Sequence, residues 1–481
     1  MNLLRHLGGY GAVKLASAFA SFGGIIIFTR LLSAEAYGRY ALVFSAMALI
    51  HLVSLTWVEA ASFRFGVSAK SSDDLNGHFR TALAALAVST LCAYLILAIL
   101  LFILWDYPDY RAFAPWLAIL LPANTFYKIA MEAHRSAQRV RRYAVSSLIK
   151  IAIGFVSGVF FAYLLGFGAV SPIAGLTIGS IVGFFLEGRT IVVRATKGHT
   201  IPKPLKAWAA FGIPTALALG LDLILSTVDR FIIAAFLGEA SVGAYAAGYG
   251  IADKTVMLVM AWAGLAISPH LLKAYEEGND VELNVVIKNL ARILLFAGLP
   301  VATGLAIVAE PLSTLMIGED LREDARTIIP WIAFSAILNG MAIVFFAESF
   351  QLSQKTKRRA LLMIAPVLIN IVLNIVLIPK YGLIGAVMAT GFCYGLACFL
   401  LAWTGRRLVH MPIPVLDAMK VIAACLFMAP VALVSSRYGP LIDLCLMSAS
   451  GVIIYFTVTF VLNACNIRGG LEYCRKSSRA R

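Results

Sequence analysis

Fourteen stretches of this 481-residue sequence are long and apolar enough to cross a lipid bilayer. A spanning helix needs about 20 residues with few charges, because its backbone must satisfy its own hydrogen bonds in the hydrocarbon. Hydrophobic residues make up 60% of the chain and charged residues only 14%, so the sequence predicts an all-α polytopic membrane protein. The predicted spans are residues 8–28, 40–61, 81–104, 112–133, 143–165, 172–193, 208–236, 242–267, 290–309, 328–350, 360–378, 383–403, 415–434 and 441–462.

The short connections between these spans differ in charge. Lys and Arg accumulate in connections on one side of the membrane, and such connections usually face the cytoplasm. Both termini are therefore predicted to be cytoplasmic. The same asymmetry accounts for the net charge of +15, so we expect no nucleic-acid partner. The basic segments are residues 135–142, 189–206, 355–359, 406–407 and 468–481.

This orientation predicts which connections a membrane-impermeant thiol reagent reaches in intact spheroplasts. Single cysteines in a cysteine-free variant should react from outside at the external connections and only after permeabilisation at the cytoplasmic ones. The external positions are Ser33, Gly168, Asp320 and Gly439, and the cytoplasmic positions are Ser136, Lys197, Thr356 and Ser478. Labelling of the second set with protection of the first would reverse the orientation.

The two halves of the sequence contain related segments. Residues 229–253 resemble residues 28–44, and a shift of 205 positions places Gly38 on Gly243. A second pair of similar segments lies at 165–179 and 378–391. Repeats of this kind are typical of transporters in which two bundles alternate access to a central site.

The repeat predicts three regions. Residues 1–205 form a first six-helix bundle that ends in a basic linker, and residues 206–405 form a second six-helix bundle. Residues 406–481 contain two further helices and a basic cytoplasmic tail.

Three lysines lie inside predicted spans of the first bundle. Lys14, Lys128 and Lys150 are each about 10 Å from the cytoplasmic end of their helix, at a rise of about 1.5 Å per residue. Charges inside a membrane are costly and mark candidate functional sites, so these lysines are predicted to form a cationic rim that binds substrate. The alternative is that they extend to the cytoplasmic interface as anchors.

Four other charged residues are candidates for ion coupling or gating. Asp222 and Asp253 lie near the membrane midplane, and Asp222 and Asp229 are predicted to share one face of a continuous helix. Arg30 and Asp229 lie near the external interface, where ordinary anchoring is the alternative. His51, also in a span, is interpreted as a hydrogen-bonded packing residue rather than a proton relay.

Five segments of the sequence carry a family resemblance. They are TRLLSAEAYGRYAL, VDRFIIAAFLGEASVGAYAAGYGIADK, ISPHLLKAYEEGN, GLPVATGLAIVAEPLSTLMIG and LIPKYGLIGAVMATG. Together these segments resemble the bacterial polysaccharide exporters, the Wzx-like flippases of the multidrug and oligosaccharidyl-lipid/polysaccharide exporter superfamily. The resemblance extends from the first to the twelfth predicted span, with the segments in the family's order.

The resemblance implies a flippase of the bacterial inner membrane rather than an enzyme. Its implied cargo is an undecaprenyl-pyrophosphate-linked oligosaccharide used to make polysaccharide or lipopolysaccharide, and its implied partners are membrane lipids, a polysaccharide polymerase and chain-length proteins. The alternatives are a peptidoglycan-precursor or multidrug exporter of the same superfamily and a membrane-bound polymerase or acyltransferase. The seven cysteines stand apart, so we expect no metal or cofactor, while coupling to protons or sodium stays open.

Overall fold

A computed structural model describes residues 2–71, 74–198, 205–433 and 439–468. These residues are helical and contain no strand, which confirms the predicted all-α class. Residues 199–204 of the predicted basic linker and residues 469–481 of the C-terminal tail lie outside the described residues. The α-helices are α1 (Asn2–Leu31), α2 (Ala34–Ser54), α3 (Thr56–Ser71), α4 (Leu75–Ile103), α5 (Pro108–Arg111), α6 (Ala114–Ser136), α7 (Val140–Tyr163), α8 (Ser171–Lys197), α9 (Leu205–Leu225), α10 (Val228–Leu237), α11 (Glu239–Glu276), α12 (Asp280–Ile307), α13 (Ala309–Met316), α14 (Glu319–Gly340), α15 (Glu348–Leu352), α16 (Thr356–Gly405), α17 (Val415–Met428) and α18 (Pro440–Val461).

Twelve helical segments among the described residues are long and apolar enough to span a membrane. Each of the fourteen predicted spans nevertheless has a helical counterpart. The 50-residue α16 contains two of them, because its backbone leaves helical geometry at Gly382, where φ is 59°. The counterpart of residues 112–133 is α6, which is absent from the twelve because polar residues such as Asn124 and Lys128 lower its mean hydropathy. The chain is a multi-pass membrane protein.

The packing divides the chain into two compact units, Met1–Gly243 and Ala244–Arg481. In the first unit, α8 packs against α4, α6 and α7, while α3 packs against α9. Small residues let α7 and α8 approach closely. A Cβ atom on Gly175 would lie 2.6 Å from the Cα of Gly158, and one on Gly179 would lie 2.7 Å from the carbonyl oxygen of Lys150. This contact fixes the position of α7, and with it Lys150, in the unit.

The second unit contains α12, α14 and α16 packed together, with α17 and α18 against α12 and against each other. Arg292 on α12 donates to Asp417 on α17 at 2.8 Å. The hydroxyl of Tyr455 on α18 donates to the carbonyl oxygen of Phe296 on α12 at 2.7 Å. The last two helices are therefore attached to this unit. The predicted boundaries at residues 205 and 405 describe the repeat rather than the packing, and they stay predictions.

Candidate functional site

The first unit contains a cavity among membrane-spanning helices, with a few polar side chains in its wall. Its volume is about 290 Å³. The cavity lies between α2, α3, α6 and α9, and most of its wall is apolar. Its lining residues are Met47, Ala48, His51, Leu52, Thr56, Leu120, Leu121, Asn124, Lys128 and Leu223.

A three-residue charged cluster contains two of the lining residues, His51 and Lys128, together with Glu59. His51 Nε2 lies 2.8 Å from one carboxylate oxygen of Glu59, and Lys128 Nζ lies 3.2 Å from the other. Lys128 Nζ also lies 2.9 Å from His51 Nε2. The side chain of Glu59 is 15% exposed and that of Lys128 is 42% exposed, so the carboxylate is enclosed while the ammonium group remains accessible to a ligand.

An interruption of the helix places His51 beside Glu59. The two residues are eight positions apart, which corresponds to about 12 Å along a regular helix. The helical path stops between α2 and α3 at Leu55, where φ is −121° and ψ is −29°. The Thr56 hydroxyl donates to the carbonyl oxygen of His51 at 3.3 Å across this interruption.

Lys150 on α7 reaches the same region of α6. Its ammonium group donates to Asn124 Oδ1 at 2.5 Å and lies 4.3 Å from the centroid of the Tyr127 ring. Asn124, Tyr127 and Lys128 occupy neighbouring positions on one face of α6, at spacings of three and four. Lys150 therefore lies close to Lys128, whose partner carboxylate is that of Glu59. Two lysines beside one carboxylate suit an anionic ligand.

The third predicted lysine has a different environment. Lys14 is exposed on α1, and its ammonium group takes part in none of the hydrogen bonds or ion pairs found among the described residues. The structure therefore brings two of the three lysines together, while a contribution from Lys14 to substrate binding stays a prediction.

The candidates for coupling or gating are dispersed. Arg30 is exposed at the end of α1, where it donates to the carbonyl oxygen of Ile26 at 2.7 Å. Asp229 is fully buried in the first turn of α10 and accepts the backbone N–H of Arg230 at 2.8 Å. Asp222 lies near the end of α9, and Asp253 lies on α11 in the second unit. Their functional roles stay predictions.

The stripe predicted for Asp222 and Asp229 does not lie on one continuous helix. α9 ends at Leu225 and α10 begins at Val228, with Thr227 at φ −133° between them. The residues in this gap, Ser226 and Thr227, are polar. The Ser226 hydroxyl donates to the carbonyl oxygen of Leu223, and the backbone N–H of Thr227 donates to Ile224, three residues back, at 3.1 Å. Periodicity alone did not reveal this break because the flanking sequence is apolar on both sides.

The two repeated hairpins meet in the first unit. A Cβ atom on Gly38 would lie 1.7 Å from the carbonyl oxygen of Glu239, so the start of α11 approaches the backbone of α2 at a position where only glycine fits. Arg39 binds Glu239 at 2.9 Å and Asp109 at 2.7 Å. We call these residues, together with Tyr110, the hairpin contact.

Tyr110 completes the hairpin contact by donating to the second carboxylate oxygen of Glu239. Burial, followed by this hydrogen bond, raises the pKa of Tyr110. The phenol therefore keeps its proton and acts as a donor. With Arg39 on one oxygen and Tyr110 on the other, the Glu239 carboxylate is held between two elements of the unit.

Sequence reasoning missed Glu59, Asn124 and the ion pair of Arg39 with Glu239. Glu59 falls within the predicted span 40–61, so the rule that singled out the lysines would also have selected it. Arg39 directly follows Gly38, one of the matched positions of the repeat. His51 was interpreted as a hydrogen-bonded packing residue; it is 9% exposed, and its bonds are to charged cavity residues.

One protein family and several curated proteins are similar to this chain. The family described as "Polysaccharide biosynthesis protein" matches residues 27–324. Among curated relatives, the "Probable low-salt glycan biosynthesis flippase Agl15" of Haloferax volcanii is 22% identical over 59% of this chain and 58% of its own length. The "Probable lipid II flippase MurJ" of Vibrio cholerae is 25% identical over 52% of this chain and 49% of its own length. The chain thus spans about half to three fifths of these relatives.

Solved structures share the fold over a larger part of the chain. One described as "Lipid II flippase MurJ, inward closed conformation" has a TM-score of 0.74 and 15% identity, covering 96% of this chain and 100% of that one. An inward-facing multidrug resistance MATE family transporter of the MOP superfamily has a TM-score of 0.69 and 16% identity, covering 82% and 94%. At these identities the similarity concerns the fold.

The family match covers more than half of the sequence and includes the cavity, the charged cluster and the hairpin contact. It agrees with the resemblance carried by the sequence motifs. On these grounds, the chain belongs to the family of polysaccharide biosynthesis proteins.

Proposed function

We propose that this protein is a flippase that moves a pyrophosphate-linked glycan lipid across the membrane. The observation that carries the proposal is the pair of lysines at the cavity of the first unit: Lys128 lines it, and Lys150 donates to Asn124, another lining residue. The carboxylate near them is that of Glu59, which binds Lys128. The family match and the flippases among the relatives support the same class of activity.

The work required of such a protein is binding and release. A pyrophosphate carries negative charge, and a partly enclosed cavity strengthens its attraction to ammonium groups relative to bulk water. Lys128 and Lys150 would bind the phosphates while Asn124 offers an amide to phosphate or sugar. Glu59 and His51 would hold Lys128 in place between transport cycles. No covalent bond is made or broken, so the proposal assigns no catalytic residue.

The substrate we favour is an undecaprenyl-pyrophosphate-linked oligosaccharide repeat unit, moved from the cytoplasmic to the outer leaflet of the bacterial inner membrane. Polymerase and chain-length proteins would use the product. Alternating access would occur by rocking of two helix bundles, with Asp222 and Asp253 as candidates for proton or sodium coupling. Both termini would lie in the cytoplasm.

A second candidate substrate is the peptidoglycan precursor lipid II. Relatives named as lipid II flippases favour it, and its headgroup also carries a pyrophosphate. A multidrug exporter is a weaker candidate, because an excess of lysines disfavours the cationic compounds that an acidic cavity would bind.

The proposal is tested with purified protein in lipid vesicles. A fluorescent polyprenyl pyrophosphate bearing an oligosaccharide is placed in both leaflets, and the fraction accessible to an impermeant quencher is followed over time. We expect the inner fraction to become accessible only in vesicles that contain the protein. A neutral lipid with the same polyprenyl chain should remain trapped. Equal movement of both lipids would overturn the assignment to pyrophosphate-linked substrates.

A further inference from the structure

A second basic cavity lies in the first unit, where α4 begins and α8 ends. Its volume is about 560 Å³. Among the described residues that line it, three side chains are cationic, two are polar and none is a carboxylate. The lining residues are Leu75, Asn76, Arg189, Thr190, Val193, Arg194 and Lys197.

Helix geometry and a close backbone contact assemble this cavity. Arg189, Val193 and Lys197 recur at intervals of four and so share one face of α8. The end of α8 is held against the start of α4, because a Cβ atom on Gly198 would lie 2.8 Å from the carbonyl oxygen of Asn76. Arg80 on α4 also donates to the carbonyl oxygen of Gly198. The cationic face of α8 is thereby fixed beside α4.

Two neighbouring carboxylates in the described part of the chain, Asp74 and Glu187, bind other partners. Asp74 caps α4 by accepting the backbone N–H of Gly77 at 3.1 Å. Glu187 binds His134 at 2.9 Å and Arg142 at 3.2 Å. None of the ion pairs or hydrogen bonds found among the described residues involves the side-chain nitrogens of Arg189, Arg194 or Lys197. Three like charges without counter-ions repel one another, and an anionic ligand in the cavity relieves that repulsion.

Apolar side chains continue from the cavity along α8. Val193 lines the cavity and is 44% exposed, and Val192, Leu186 and Phe185 are exposed on the same helix. α8 is a membrane-spanning segment, so these side chains meet lipid tails while the arginines and the lysine lie in its last turns. Phosphate-binding groups next to a lipid-facing apolar surface match the two parts of a phospholipid, and basic pockets at helix ends are a known form of headgroup site.

We propose that this cavity binds the phosphate headgroup of an anionic membrane phospholipid. The site is separate from the cavity assigned to the transported lipid, since the two share no lining residue. Its arginines can bind phosphate oxygens in a bidentate manner. The bound lipid would tie the ends of α4 and α8 to the predicted cytoplasmic leaflet.

The test uses the full-length protein in neutral detergent, with bound lipid counted by native mass spectrometry. Phosphatidylglycerol, phosphatidylcholine and inorganic phosphate are titrated separately. The variant combines Arg189→Gln, Arg194→Gln and Lys197→Gln. We expect the parent to prefer phosphatidylglycerol and the variant to bind it at least about tenfold more weakly, since it loses several charge-assisted hydrogen bonds.

A matched control removes the same charge elsewhere on the predicted cytoplasmic side. It combines Lys355→Gln, Lys357→Gln and Arg358→Gln, at exposed positions at the start of α16, and should retain the parent's affinity. Equal thermal unfolding of all three proteins shows that folding is unaffected. Unchanged phosphatidylglycerol binding by the cavity variant overturns the proposal. Binding of inorganic phosphate that depends on the three residues, with no preference for the lipid, overturns the lipid assignment.

Discussion

Replacing Lys128 and Lys150 together by alanine should weaken binding of a polyprenyl pyrophosphate by at least about a hundredfold. A hydrogen bond to a charged group contributes about 1.5 to 3 kcal/mol, and about 1.4 kcal/mol corresponds to a tenfold change in affinity. Each single substitution should cost about tenfold, because the remaining ammonium group still attracts the phosphates. The dissociation constant of the purified protein for the lipid measures the effect directly.

Charge-preserving variants provide the control. Lys128→Arg and Lys150→Arg should retain most of the affinity, because binding depends on the positive charge of these side chains more than on their exact shape. Lys14→Ala, measured beside them, tests the three-lysine rim: a loss similar to that of Lys150→Ala would add Lys14 to the site, and parental affinity would exclude it. A correctly folded double alanine variant with parental affinity would contradict the assignment of the cavity.

The removal of Lys128 has a structural consequence that must be separated from binding. Without Lys128, the Glu59 carboxylate loses its lysine partner and keeps its contact with His51. Removing one member of an enclosed ion pair destabilises the fold. Lys150 carries no such risk, because its partners are Asn124 and the ring of Tyr127. Thermal unfolding of each single variant therefore distinguishes a lost binding group from a weakened helix bundle.

The helices could be predicted from sequence because the bilayer imposes one requirement on every span. A backbone in hydrocarbon must form a helix or a closed barrel, so an apolar run of sufficient length determines the element. The interruptions within the helices were harder to predict from sequence. The interruption at Gly382 falls between the predicted spans 360–378 and 383–403. The interruptions at Leu55 and Thr227 lie inside single predicted spans, because each short polar stretch there is enclosed by longer apolar segments.

The site could be predicted only in part. Depth in a span identified Lys128 and Lys150 as candidates, since each is a costly charge in an apolar segment. Their partners required tertiary structure. Glu59 reaches His51 because the helix stops at Leu55, and Lys150 reaches Asn124 because glycines bring α7 close to α8. The positions of such contacts are not encoded in the periodicity of any one helix.

The sequence repeat marked a glycine that makes a close contact in the structure. Matching Gly38 to Gly243 indicated two equivalent turns, and in the structure Gly38 packs against the start of the second copy at Glu239. Glycine at this position is therefore required by a backbone contact between the two copies. Arg39 and Glu239 form an ion pair that reinforces the contact and that the match did not predict.

Gly38→Ala should open the hairpin contact and abolish transport. The added Cβ atom would lie 1.7 Å from the carbonyl oxygen of Glu239 and 2.6 Å from its carbonyl carbon, and backbone atoms cannot move aside as a flexible side chain can. Overpacking costs about 1 to 3 kcal/mol where side chains can adjust. Because the clash here is with backbone atoms, we expect the two hairpins to separate instead. Separation would lengthen the 2.9 Å contact of Arg39 with Glu239. Under the proposed function, the hairpin contact closes one side of the pathway during alternating access, so its loss should lower transport in the vesicle assay more than tenfold.

The matched control is Gly24→Ala, the same chemical change on α1, where the new Cβ atom would meet Phe28 at an ordinary 3.7 Å. Cysteines at Ala34 and Ala240 in a cysteine-free background report the contact through the yield of a short thiol crosslinker. Gly38→Ala should lower that yield, whereas Gly24→Ala should leave it unchanged. A lower yield with full transport would show that the hairpin contact is structural and not part of the transport cycle. An unchanged yield in Gly38→Ala would mean that the backbone of α11 yields locally, and the hairpin contact would then not depend on glycine.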